Sequence, residues 1–154
     1  MFYYVLAFLI GVVAGLRALT PLAAVSWAAQ LGRVHLGNTW LAFLGYSATP
    51  YVISFLAILE LINDKLPKTP SRKTPPQFIT RIVTGALSGA AFGAAEQALI
   101  GGLLLGAVGA AVGTLAGAEL RARLTRTLGG RNLPAALIED AIAIIGAILL
   151  VCQF

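Results

Sequence analysis

The sequence predicts an all-α, polytopic membrane helix bundle of about five spans, and three observations carry that prediction. Of 154 residues, 58% are apolar and 11% charged, against roughly 25% charged in soluble domains. A soluble domain of this size could not bury so much apolar surface and still present a charged exterior. Apolar runs of about 20 residues, the length needed to cross roughly 30 Å of hydrocarbon, recur along the chain. The basic residues gather in two short connections, as topology determinants do. Residues 1–154 read as a single integral membrane domain.

The first span runs from about Phe2 through Arg17, with Thr20-Pro21 as its break or kink. Proline removes a backbone donor and clashes with the preceding turn. Residues 21–30 therefore continue span one or form a half-helix that re-enters or lies along the surface. The N-terminus is apolar but lacks a basic n-region, so it reads as a retained span rather than a cleaved signal peptide. Residues 32–38 (GRVHLGN) form a turn. Span two runs from about Thr39 to Ile62, with Trp40 near its start as an interface anchor and Pro50 bending it at mid-depth.

Residues 64–77 (DKLPKTPSRKTPPQ), with four prolines and four basic residues, are the clearest loop. Span three covers about Phe78 to Ala98 and span four about Leu99 to Ala118. The basic stretch 119–132 (ELRARLTRTLGGRN) ends in a Gly-Gly breaker. Span five opens at Pro134, a favoured first helical position, and runs to the end.

Lys65, Lys68, Arg72 and Lys73 lie in one connection, with Arg81 just beyond; Arg121, Arg123, Arg126 and Arg131 lie in the other. The remaining connections offer only Arg33, His35 and Glu96. Positive charge marks the cytoplasmic face. Five spans then place the N-terminus in the cytoplasm and the C-terminus outside. A faint repeat links Leu56-Ala57-x-x-Glu60-Leu61 with Leu115-Ala116-x-x-Glu119-Leu120.

Gly85, Gly89 and Gly93 on span three, and Gly109, Gly113 and Gly117 on span four, recur every fourth residue. Small residues at that spacing let helix backbones approach closely. They predict glycine-zipper packing of spans three and four, and offer a face for a homo-oligomer.

Arg17 is the most informative single residue. Sixteen uncharged residues precede it and fifteen follow. A guanidinium at membrane depth is costly and faces a partner, a cavity or headgroups. Counted along span one from a cytoplasmic N-terminus, it lies about 22 Å away, in the outer half. On depth, Glu96 is its acidic partner; Thr20, carbonyls freed by Pro21, or an anionic substrate are the other choices. Glu60 and Asp64 share a face one turn apart, and either pair locally with Lys65, Lys68 or Arg72 or serve a site. Glu139 and Asp140 precede fourteen uncharged residues, about 21 Å of helix, so they either lie at the interface or are drawn inward. Glu60, Asp64, Glu139 and Asp140 could converge at the inner mouth of the bundle, to bind a cation, relay protons or receive Arg81.

Several chemistries have no sequence support. Cys152 is the single cysteine and His35 the single histidine, so neither a disulfide framework nor a cysteine- or multi-histidine centre can be built. There is no H-E-x-x-H and no cofactor signature. No metal can be assigned. The net charge of +5 is not arranged as a basic face interleaved with aromatics, which argues against nucleic acid.

At GLRALTPLAAVSWAA (15–29), DKLPKTPSRKTPP (64–76) and IEDAIAI (138–144), the chain resembles a family of small bacterial inner-membrane proteins known as domain of unknown function 4126. The resemblance covers most of the chain and implies a compact, multi-span bacterial membrane protein. It implies no activity and carries over no catalytic residue. The functional expectation is therefore a small transporter or channel-like protein for a small solute, ion or lipid headgroup, in contact with the lipid bilayer and with copies of itself. Its candidate binding residues are Arg17, Thr20, Glu60, Asp64, Glu139 and Asp140. A non-transporting scaffold or accessory subunit is the alternative, and a metal-dependent lipid-headgroup enzyme the third choice.

Overall fold

The computed structural model describes residues 1–66, 71 and 73–154. Among them are six α-helices, one 3₁₀ segment and no strand: α1 (Phe2–Leu16), α2 (Leu19–Gln30), the 3₁₀ segment Trp40–Gly45, α3 (Thr49–Asn63), α4 (Pro75–Ala94), α5 (Leu99–Thr127) and α6 (Asn132–Val151). Lys68 and Arg72, counted above among the basic loop residues, lie outside the described residues.

Three element boundaries depart from the sequence expectation. Span two is a 3₁₀ segment followed by α3, and Pro50 sits in the first turn of α3 rather than at a mid-helix bend. There its missing N–H breaks no intrahelical bond. Span four does not stop at Ala118. The basic run continues α5 to Thr127, because arginine and leucine are good helix formers. The helix ends where Gly129 and Gly130 adopt φ of +69° and +81°, a left-handed conformation that glycine takes without a Cβ clash. The break in span one falls at Arg17-Ala18, not at Thr20-Pro21.

α5 is the central strut. It packs most extensively against α1 and α4. Tyr4 lies on Gly101, Gly11 on Gly106 and Gly15 on Gly113, so α1 and α5 run parallel. Gly85 faces Gly106 and Ala110, Gly89 faces Gly102, and Gly93 faces Ala98, so α4 and α5 form an antiparallel hairpin. A Cβ added at Gly11, Gly89, Gly102, Gly106, Gly109 or Gly113 would come under 3.0 Å from the facing backbone. Within α5 the glycines divide their duties. Gly102 meets α4, Gly109 and Gly113 meet α1, and Gly106 lies between both helices.

α6 runs antiparallel to α1, with Asp140 at Arg17 and Gly146 at Val13. α2 and α3 are also antiparallel: the start of α2 meets Glu60, and Trp27 meets Ser54 and Tyr51. α2 packs on α4 and α6 as well, and Leu22, Val25 and Ala28 join the same core as Ile10 and Phe92.

Both chain ends lie at one end of the bundle. Tyr4 sits on Gly101, and the Phe154 ring is 4.7 Å from that of Phe92, near the α4–α5 turn. The sequence expectation put the termini on opposite faces. The reason for the difference is arithmetic: three helices, not two, separate Met1 from the loop after Asn63.

The outer surface is rich in apolar side chains. Phe55, Ile100, Leu104, Val108, Ile145 and Leu149 are all exposed. α5 and α6 are long and apolar enough to cross a membrane, and α1 and α3 are shorter apolar helices.

Candidate functional site

The site is built on the break between α1 and α2. Arg17 closes α1 by donating its N–H to the Val13 carbonyl at 2.9 Å, then takes an extended conformation with φ −139° and ψ 114°. α2 starts two residues later. Pro21 falls in its first turn, where backbone N–H groups have no intrahelical acceptor in any case. The proline therefore starts the second helix instead of kinking the first.

Each open helix end meets a charge of the right sign. Arg81 of α4 donates through Nη1 to the Gly15 carbonyl at 2.9 Å and the Leu16 carbonyl at 2.6 Å. The N–H groups of Ala18 and Leu19 donate to Oε1 and Oε2 of Glu60, both at 2.8 Å. A cation at a helix C-terminus and a carboxylate at a helix N-terminus are the favourable arrangement for the backbone dipoles. Arg81 Nη2 also lies 4.0 Å from Glu60 and 3.9 Å from Asp64, linking the two caps.

Arg17 itself is 0% exposed. Its Nε donates to Asp140 Oδ1 at 2.6 Å, its Nη1 pairs with Asp64 Oδ2, and its Nη2 is 3.7 Å from Glu139 Oε2. Asp140 is shared: Lys65 Nζ approaches its Oδ2 at 2.5 Å and also donates to the Leu61 carbonyl at 2.8 Å. Glu139 is shared with Arg121, whose Nη1 lies at 3.5 Å. Arg121 further reaches Asn132 and the backbone carbonyl of Asp64.

Four cations (Arg17, Lys65, Arg81, Arg121) and four carboxylates (Glu60, Asp64, Glu139, Asp140) thus form one cluster that is balanced in charge among the described residues. Balance is what its burial demands, because an unpaired charge taken out of water costs several kcal/mol. The cluster draws its members from the α1–α2 junction, the end of α3, and helices α4, α5 and α6.

This overturns the depth argument for Arg17. Measured from the opposite end of α1, Arg17 is level with the acids and not beyond them. Glu96, its expected partner, is exposed in the α4–α5 turn at the other end of the bundle. Thr20 is buried in the first turn of α2, but its hydroxyl bonds no described residue. His35 is exposed. The two halves of the faint repeat have different fates: Glu60 caps α2, whereas Glu119 pairs with Arg123 at 2.8 Å on the surface.

Sequence reasoning did not foresee Arg121 in the cluster. The signal was the register of α5, since Gly109, Gly113, Gly117 and Arg121 fall every fourth residue on one face. Among the described residues, no group of three or more histidine, cysteine, aspartate or glutamate side chains is placed to hold a metal ion. A cavity of about 470 Å³ opens beside the cluster, with Glu60, Asp64, Asn63 and Gln77 among its polar walls.

Fold and site define an all-helical bundle with an exterior rich in apolar side chains, organised at one end around a charge-balanced cluster at a broken helix. A family model described as Domain of unknown function (DUF4126) matches residues 4–152. The chain belongs to that family. No curated protein and no solved structure matches it.

Proposed function

We propose that this protein is a small multi-pass transporter of the bacterial inner membrane, whose permeant, a small solute or ion, interacts with the cluster at Arg17. The discontinuous α1–α2 helix is the observation that carries the reading. Broken helices whose exposed backbone ends meet charged groups are how many transporters build a site at membrane depth. The neighbouring cavity supplies room, and the apolar exterior supplies a lipid-facing surface. The close glycine contacts of α1, α4 and α5 serve as a zipper that holds the bundle together. Because those glycines face inward, a second copy would pack on the apolar faces instead.

The basic end faces the cytoplasm by the positive-inside rule, and both termini face outward. Cys152, the single cysteine of the chain, tests the orientation directly. A membrane-impermeant maleimide should label it from outside in intact cells, and should also label Phe2→Cys in a Cys152→Ser background. Labelling only after permeabilisation would reverse the orientation.

Transport is tested in proteoliposomes loaded with a pH-sensitive dye, and in parallel with labelled sodium, potassium, chloride or phosphate. Wild-type protein should dissipate one of these gradients about ten-fold faster than empty vesicles, and Asp140→Asn should remove the difference. Rates equal to empty vesicles for the whole set, or unaltered by Asp140→Asn and Arg17→Lys, would remove the assignment.

One observation favours a second reading, that of a non-transporting scaffold. Both helix ends at the break are already capped by the chain's own Arg81 and Glu60. In that case the cluster is a permanent fastener, and its loss changes stability with no flux to lose.

A further inference from the structure

The cavity beside the cluster has a chemistry of its own. Its polar floor is formed by Asp64, Glu60 and Gln77, and its apolar wall by Leu56 and Leu59 of α3. Asp64 uses Oδ2 for Arg17, while its Oδ1 accepts no hydrogen bond from any described residue. The Asp64 side chain keeps 13% exposure, whereas Arg17 and Arg81 behind it keep 0% and 1%. A ligand in the cavity therefore meets the open carboxylate oxygen before the arginines, and that oxygen calls for a hydrogen-bond donor.

The apolar wall adds a second requirement. Leu56, Leu59 and Asn63 fall at i, i+3 and i+7, on one face of α3. Both leucines are exposed, and the track from Leu56 to Asn63 is about 10 Å long. It leads from the floor out along the apolar surface of the bundle. A bare metal ion would leave this track empty, and a fatty carboxylate would bring like charge to Asp64. An alkyl chain ending in an ammonium group satisfies both walls: its N–H donors meet Asp64 and Gln77, and its methylenes cover α3.

We propose that this groove binds a bilayer amphiphile with a protonated primary-amine headgroup, held by Asp64 at the floor and by Leu56 and Leu59 along its chain. The site rests on the membrane placement argued above, but it is a statement about binding and needs no flux.

The test uses the full chain in maltoside micelles and counts bound adducts by native mass spectrometry. Dodecylamine should bind with an apparent Kd about ten-fold below that of dodecanol, and dodecanoate more weakly than either. Asp64→Asn should reduce dodecylamine to the dodecanol level. Because Asp64 also holds Arg17, Leu59→Trp provides a variant that leaves the cluster intact; it should block the groove and abolish the amine adduct. Equal binding of amine and alcohol, tightest binding by dodecanoate, or undiminished amine binding in Leu59→Trp would each overturn the proposal. Displacement of dodecylamine by methylammonium at equal concentration would do so too, by showing that the chain contributes nothing. Adducts without flux would leave this site standing and remove transport, while flux without amine-selective adducts would do the reverse.

Discussion

Two arginine–carboxylate contacts in this molecule have nearly the same length and opposite meanings. Arg17 meets Asp140 at 2.6 Å inside the bundle, and Arg123 meets Glu119 at 2.8 Å on the projecting end of α5. The difference is the surroundings. Arg17 has no exposure, whereas the Arg123 side chain is 71% exposed. Water screens the outer pair, so each partner is stable alone. No such substitute exists for the inner one. Removing either member leaves a buried charge whose solvation was supplied entirely by its neighbours. Distance does not rank these contacts; burial and shared partners do.

The comparison can be broken most forcefully at Arg17. Replacing it with methionine leaves Asp64 and Asp140 without their central cation and should cost about 3–5 kcal/mol, the range for stranding a buried charge. Unfolding by titration of a denaturing detergent into mild micelles would read that loss. A loss no greater than that of the surface variant below would mean that water reaches the cluster freely.

Packing without charge provides the next step down. Gly106→Ala places a Cβ under 3.0 Å from the Gly85 backbone. Overpacking of this kind should cost roughly 1–3 kcal/mol, and the α4–α5 hairpin should lose protection in hydrogen exchange. Wild-type exchange in that hairpin would show that the helices can separate at little cost.

Lys65 lies between the extremes, because it holds Asp140 but is 24% exposed. Lys65→Ala should weaken the protein by about 1–2 kcal/mol, since Asp140 retains Arg17 and water can replace part of the lost contact. Arg123→Ala is the smallest change. Its unfolding midpoint should equal that of wild type within error at moderate salt, and a measurable shift would show that the end of α5 is held by a partner or a surface.

Much of this arrangement was legible residue by residue. Arg17 was conspicuous as a lone charge in an apolar stretch, and Glu139 and Asp140 because too little apolar chain follows them for a comfortable span. Gly85, Gly89 and Gly93 do face α5 and its start, whereas Gly109 and Gly113, expected against α4, face α1. What was not legible was who meets whom. The depth count along α1 set Arg17 apart from the acids it meets, because it assumed two helices before the first basic loop where there are three. Pro21 attracted the break to itself, although a proline in a first turn starts a helix as readily as it interrupts one. Arg121 looked like one more loop arginine until α5 proved to continue through it.

The sequence alone determined the helical class and the apolar exterior, because those follow from composition and from local propensity. It also singled out the residues too costly to leave unpartnered. Only the tertiary structure decided the partners. Pairing among Arg17, Asp64, Glu139 and Asp140 joins residues 47 to 123 positions apart, and no local periodicity encodes such contacts. They depend on α1 running parallel to α5, on a third helix before the first basic loop, and on a break whose two open ends Arg81 and Glu60 close.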